Sequence, residues 1–263
     1  MAYSIGMIGF LIKKTFFDMW DNMFRIALVN LGFIVSAAFP IFVPSLLAPF
    51  PVAAILTLLI GILWCFVYLM TAALSLRNIS DYGSFGFADF FKNLKIAWPA
   101  GLVMGLLVFL LLFLLITVIP WYLGQQSIIG LLLGALIFWT FVIGILSFQY
   151  FPAIRSRLDT KLLKVIKKCF LIFFDNPGLS IFSLIHNLVL LVISALLAFL
   201  FPGPAGILLY MDEALRLRLL KYDWLEANPG ANRRKIPWDA LLIDERDRTG
   251  SRSLKSFIFP WKD

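Results

Sequence analysis

Three stretches of the chain carry no charged side chain: Ile26–Leu76, Ile96–Ile154 and Asn176–Met211, which are 51, 59 and 36 residues long. Each of the first two has room for a pair of apolar helices of about 20 residues and a turn, the length needed to cross a bilayer twice. The third has room for one such helix, about Leu179–Phe201. The break Pro202-Gly203-Pro204 follows, then a short apolar lead into Asp212, Glu213, Arg216, Arg218 and Lys221. The last helix therefore either crosses while carrying charges or enters only partway. With 61% hydrophobic and 14% charged residues, the chain reads as an all-α, polytopic membrane helix bundle.

The basic residues set the topology. Of the 23 Lys and Arg, three precede Ile26, three lie between the first two charge-free runs, six lie between Pro152 and Gly178, and eleven lie from Arg216 onward. The turns at Val43–Pro51, Ile119–Gln126 and Phe201–Gly206 carry none. Basic residues near helix ends stay on the cytoplasmic side. The expectation is a multi-pass protein of the bacterial cytoplasmic (inner) membrane with both termini cytoplasmic. An even number of crossings follows, with Ala205–Lys221 as a short, charged sixth segment. The net charge of +8 is spread over these sites rather than massed in a tail, which argues against nucleic acid as a partner.

Residues 1–226 form the transmembrane bundle in this reading, and residues 227–263 form a cytoplasmic tail ending SFIFPWKD, an aromatic tip suited to the membrane surface or the underside of the bundle. Three amphipathic helices are expected at the inner interface: Ser4–Asn22, Phe87–Trp98 and Asp159–Phe174. In the third, Lys161, Lys164 and Lys168 share one face with Lys167 nearby, and Leu162, Val165, Ile166, Cys169 and Phe173 fall largely opposite. These four lysines are candidate contacts for anionic inner-leaflet lipid. FFDMWDNMF, FADFFKNL and FLIFFDNPG precede the three span pairs and suggest a threefold repeat. The pairs Gly101/Gly105 and Gly130/Gly134 have the small-xxx-small spacing of closely packed membrane helices.

Few polar groups enter the spans. Asn30, Gln149, His186 and Asn187 all fall roughly 8–15 Å from the inner surface by helix rise. With Asp212, Glu213 and Arg216 they make a candidate polar locus in the cytoplasmic half. It is either a site open to the cytoplasm or a set of interhelical hydrogen bonds. Asp212 and Arg216 stand at i and i+4 and are expected to pair. Glu213 has no such partner and is expected to reach another helix, with His186 a candidate.

Enzyme signatures are missing: there is no HExxH, GxSxG or P-loop motif. One histidine and two cysteines, Cys65 and Cys169, make neither a zinc site nor a disulfide framework. No catalytic role, metal or other cofactor is expected.

Asn30 in the first span, Pro40 at its outer end and the segment GSFGFADFFKNLKIAW after the first hairpin resemble the YesL-like family of bacterial membrane proteins. The likeness covers the N-terminal two-fifths of the chain. The charged last helix and long tail depart from the shorter family pattern. The family has no established activity, and its genes often accompany carbohydrate uptake and degradation systems. The resemblance implies a non-enzymatic accessory or scaffold role beside a transporter, with an ABC-type sugar transporter as the expected partner. The alternative is a small transporter with its site at the polar locus.

Overall fold

The computed structural model describes residues 2–233, 235–250 and 252. Among these the chain is helical throughout: α1 (Ala2–Asp21), α2 (Met23–Leu46), α3 (Pro51–Ser80), α4 (Phe87–Phe113), α5 (Ile119–Gly124), α6 (Ile128–Phe148), α7 (Phe151–Arg157), α8 (Leu162–Asp175), α9 (Pro177–Leu196), α10 (Gly203–Ala227), α11 (Trp238–Leu241) and α12 (Ile243–Thr249). Five of them, with their extensions, are long and apolar enough to cross a membrane: Met23–Leu46, Pro51–Ser80, Phe87–Gly124, Ile128–Arg157 and Pro177–Leu196.

Local sequence explains the boundaries. Pro51, Pro152 and Pro177 sit in the first turns of α3, α7 and α9, where a missing N–H costs nothing. The Ser127 hydroxyl caps α6 by accepting from the Gly130 N–H at 3.0 Å. Pro120 cannot donate and crowds the carbonyl four residues back, and a π-helical turn over Leu114–Val118 joins α4 to α5 there. A Cβ on Gly101 would stand 2.4 Å from the Val67 backbone, so this glycine sets the close approach of α3 and α4.

The expected sixth segment has a setting unlike that of the five apolar helices. Ala205–Lys221 lies within α10, which is not one of the five apolar helices. It is buried on every side over Leu208–Leu215, because α1, α2, α3, α7 and α9 surround it. The α9–α10 turn, residues 197–202, folds onto α2 at Asn30. Asn30 is seven residues from the start of α2, about 10 Å by helix rise, and α2 continues about 24 Å beyond it. The two helices form a hairpin that meets the bundle partway along α2. α10 returns the chain, so α12 packs on α1: Lys13 Nζ donates to the Gly250 carbonyl at 3.1 Å, and Arg252 grips both carboxylate oxygens of Asp21.

The interfacial helices also change. The Phe87–Trp98 segment is the first part of α4 and runs on through Pro99. α1 turns Met7, Phe10, Leu11 and Lys14 inward and packs on α10, α11 and α12. Only α8 keeps the expected form, with Val165, Cys169, Ile172 and Phe173 buried and Lys164 and Lys167 exposed. Beyond Ala227 the chain is docked through Trp238 and Leu242, both buried. The terminal SFIFPWKD lies outside the described residues. Of the three repeat asparagines, Asn22 and Asn176 separate helices, whereas Asn93 lies inside α4.

Candidate functional site

Where α1, the α3–α4 turn, α7, α10 and α12 converge, charged groups fill the space that apolar packing fills elsewhere. Lys14 and Glu213 are both fully buried. Lys14 Nζ donates to Asp18, to the Ser80 carbonyl at 3.1 Å and to Glu213 Oε1 at 3.4 Å. Thr15 Oγ1 donates to the other oxygen of Glu213. Burial alone would push the Lys14 pKa down, but Glu213 and Asp18 outweigh it and hold the ammonium above the ordinary lysine value.

On the preceding residue of α10, Asp212 accepts from Arg157 Nε at 2.9 Å and from Ser156 Oγ at 2.9 Å. Arg157 also donates to Asp81 at 2.9 Å and to the Ser80 hydroxyl at 2.8 Å. Arg216 binds Asp81 at 3.0 Å, Glu245 of α12 at 2.7 Å and the Ser80 carbonyl. The Asp212–Arg216 pairing expected from their spacing is thus corrected. Each is taken by another helix, which offers shorter reach and more hydrogen bonds than the i,i+4 neighbour.

Tyr82 is the hub of the cluster. Lys14 Nζ stands 4.3 Å from its ring centroid, with the Arg216 and Arg248 guanidinium carbons at 5.1 and 5.7 Å. Its hydroxyl donates to Glu245 Oε2 at 2.8 Å. Burial pushes its pKa up to about 12. Its backbone takes φ of 60°, a left-handed conformation that β-carbon residues adopt at a cost of about 1–2 kcal/mol, here held by contacts on every side of the ring.

The remaining locus residues lie apart. Asn30 is fully buried at the α9–α10 turn. Its amide donates to the Leu200 and Pro202 carbonyls at 3.0 and 2.8 Å, and its oxygen accepts from the Ala205 N–H at 2.9 Å. Gln149 donates to the Leu146 and Ser180 carbonyls, both at 2.9 Å. His186 stacks on Tyr210 with ring centroids 4.0 Å apart, not on Glu213. That correction follows from the Lys14–Thr15 pair already filling both oxygens of Glu213. His186 Nδ1 and Asn187 Oδ1 are buried without a hydrogen-bond partner. Lys161 at the N-cap of α8 and Lys164 and Lys167 on it are exposed, and Lys168 reaches Asp159 at 3.4 Å. Among the described residues no three His, Cys, Asp or Glu side chains gather as a metal site.

Sequence reasoning assembled Asp212, Glu213 and Arg216 but missed Lys14, Thr15, Asp18, Ser80, Asp81, Tyr82, Arg157 and Glu245. Lys14 and Arg157 were legible only as topology signals. Ser80-Asp81-Tyr82 was legible only as a turn. No family model, curated protein or solved structure matches the chain.

Proposed function

We propose that this integral membrane protein is a non-enzymatic accessory or scaffold component of a transport system in the bacterial cytoplasmic membrane, akin to the YesL-like proteins. The observation that supports it is the closure of the ion cluster. Glu213, Asp212 and Arg216 are each held by two or more groups of other segments. A transport or catalytic site keeps groups available for its substrate. A cluster closed on itself instead fixes five segments in one arrangement and offers the outer faces of the bundle to a partner.

A small transporter is the second reading. The unpartnered His186 Nδ1 and Asn187 Oδ1 favour it, since buried polar atoms normally find partners. Capture of the protein from native membranes decides between the two. Co-purification of an ABC-type sugar transporter, with no uptake by proteoliposomes holding this chain alone, is the expected result. Solute uptake by the isolated protein, lost in His186→Ala, overturns the first reading in favour of the second.

A further inference from the structure

We infer that the trough between α2, α3 and the start of α4 is a binding site for one anionic phospholipid. The trough has a volume of about 660 Å³, within the range of small-molecule sites. It runs from Asn22 and Arg25 at the start of α2 to Ser36, eleven residues further, about 16 Å by helix rise. Its walls are aromatic and aliphatic, with Leu28 of α2 facing Phe90, Phe91 and Leu94 of α4.

The polar side chains in the depth of the trough are hydrogen-bonded within the protein. Trp64 Nε1 donates to Ser36 Oγ at 3.2 Å, and the Tyr68 hydroxyl donates to the Val29 carbonyl at 2.8 Å. Tyr68 can reach that carbonyl because position 32 is glycine, where a Cβ would stand 2.1 Å from its oxygen. A polar solute would have to compete with these bonds along a mostly apolar floor, whereas an acyl chain needs no polar partner.

Polar capacity is confined to the mouth. Arg25 is exposed and donates to Asn22 Oδ1 at 2.9 Å, and among the described residues it has no carboxylate partner. Asp21, the one acid lining the trough, is neutralised by Arg252. The mouth therefore carries one net positive charge. Arg25 is also the last charge before 51 uncharged residues, which places it at the boundary of headgroups and hydrocarbon. A guanidinium at headgroup depth above an apolar trough matches a phosphate with one acyl chain beneath it. The site is distinct from the lysine face of α8 and does not depend on any protein partner.

Native mass spectrometry of the detergent-purified protein, offered equal amounts of phosphatidylglycerol and phosphatidylcholine with identical chains, tests the site. The wild type is expected to retain one phosphatidylglycerol several-fold in preference to phosphatidylcholine. Arg25→Gln should bring that ratio near one, while Lys235→Gln, an exposed charge outside the trough and outside the lysine face of α8, should leave it unchanged. Leu28→Trp, which fills the trough, should lower retention of both lipids several-fold. Should Leu28→Trp fail to fold, Leu94→Trp fills it from the opposite wall, and should both fail, the Arg25→Gln ratio decides. Equal retention of the two lipids by the wild type overturns the proposal. So does a preference that survives Arg25→Gln, full retention in a trough-filled variant that melts like the wild type, or a protein rather than a lipid held at this face.

Discussion

Lys14 and Glu213 stand 199 residues apart in the sequence, yet Nζ and Oε1 meet at 3.4 Å with both side chains sealed from solvent. The contact joins the first helix to the most buried one. The two partners are not equivalent, because Lys14 also holds Asp18 whereas Glu213 has, among the described residues, Lys14 as its only cation. Removing one partner of a buried pair costs about 3–5 kcal/mol, since the other charge is stranded. Lys14→Met strands Glu213 and is expected near the top of that range. Glu213→Leu leaves Lys14 paired to Asp18 and is expected to be milder. The double variant should be more stable than the sum of the two losses by over about 0.5 kcal/mol. Thermal melting in detergent measures all three, and strict additivity would show that the residues do not interact.

Asp212→Asn is expected to destabilise clearly, by about 3 kcal/mol, because it weakens the bond to buried Arg157. In-helix pairing to Arg216 would predict a small effect, rescued by the neighbouring guanidinium. A loss unchanged in the Arg216→Gln background, measured by the same melting assay, supports the Arg157 pairing. A near-neutral Asp212→Asn refutes it.

The difference between these two pictures of Asp212 marks what the sequence could carry. Charge-free runs reveal apolar helices because lipid demands continuous apolar length, so α2, α3, α4, α6 and α9 were all legible. The burial of α10 was not. The sequence places Asp212, Glu213 and Arg216 in a polar locus but does not name their partners, and only the three-dimensional arrangement brings Arg157, Lys14 and Asp81 to meet them and Asp175 to meet Lys221. Ion pairs between distant segments leave no periodic trace, whereas an i,i+4 pair does. The same reason hid Tyr82, whose role depends on side chains 68 and more residues away. Asn30 was legible as a polar outlier in an apolar helix, but not as the group that holds the α9–α10 turn.

Cysteine labelling tests that turn on a background with Cys65→Ala and Cys169→Ala. Ser45→Cys and Gln125→Cys, in the charge-free turns, should react with an impermeant maleimide from outside, and Ser84→Cys should not. Leu197→Cys, at the end of α9, should stay unlabelled from outside, because the turn meets α2 well short of Leu46. Labelling of Leu197→Cys as fast as Ser45→Cys would show that the hairpin reaches the outer surface.

Tyr82 gives a pH dependence with a definite sign. Its folded pKa is raised to about 12 by burial, above the ordinary value of 10.0. Below pH 10 both folded and unfolded states keep the proton, so the shift has no effect on stability. Between pH 10 and about 12 the unfolded tyrosine ionises and the folded one does not, so stability falls as pH rises. Other buried tyrosines share this trend, so the measurement is the difference between wild type and Tyr82→Phe. The variant should lose less stability than the wild type across that window. Parallel melting curves from pH 9 to 12 would show that the phenol is not shielded.

Asn30 satisfies three backbone groups with one side chain, and no other residue type of its size can do so. The Leu200 and Pro202 carbonyls need a donor, and the Ala205 N–H at the start of α10 needs an acceptor. Aspartate can accept but not donate when ionised, and leucine can do neither. A buried backbone group left without a partner costs about 1–3 kcal/mol. Asn30→Asp should therefore strand the two carbonyls and bring a charge to a buried site, and Asn30→Leu should strand all three groups. Both are expected to lower the melting temperature more than Gln149→Leu, which removes the donor to two carbonyls but strands no N–H and brings no charge. Gly203 takes φ of +61° with its absent Cβ only 2.3 Å from the Asn30 amide, so Gly203→Ala should damage the same turn from the other side. Combining Asn30→Leu with Gly203→Ala should then lose less than the two single losses summed, because each removes the same set of bonds. Full additivity would show that the turn is held by something other than Asn30.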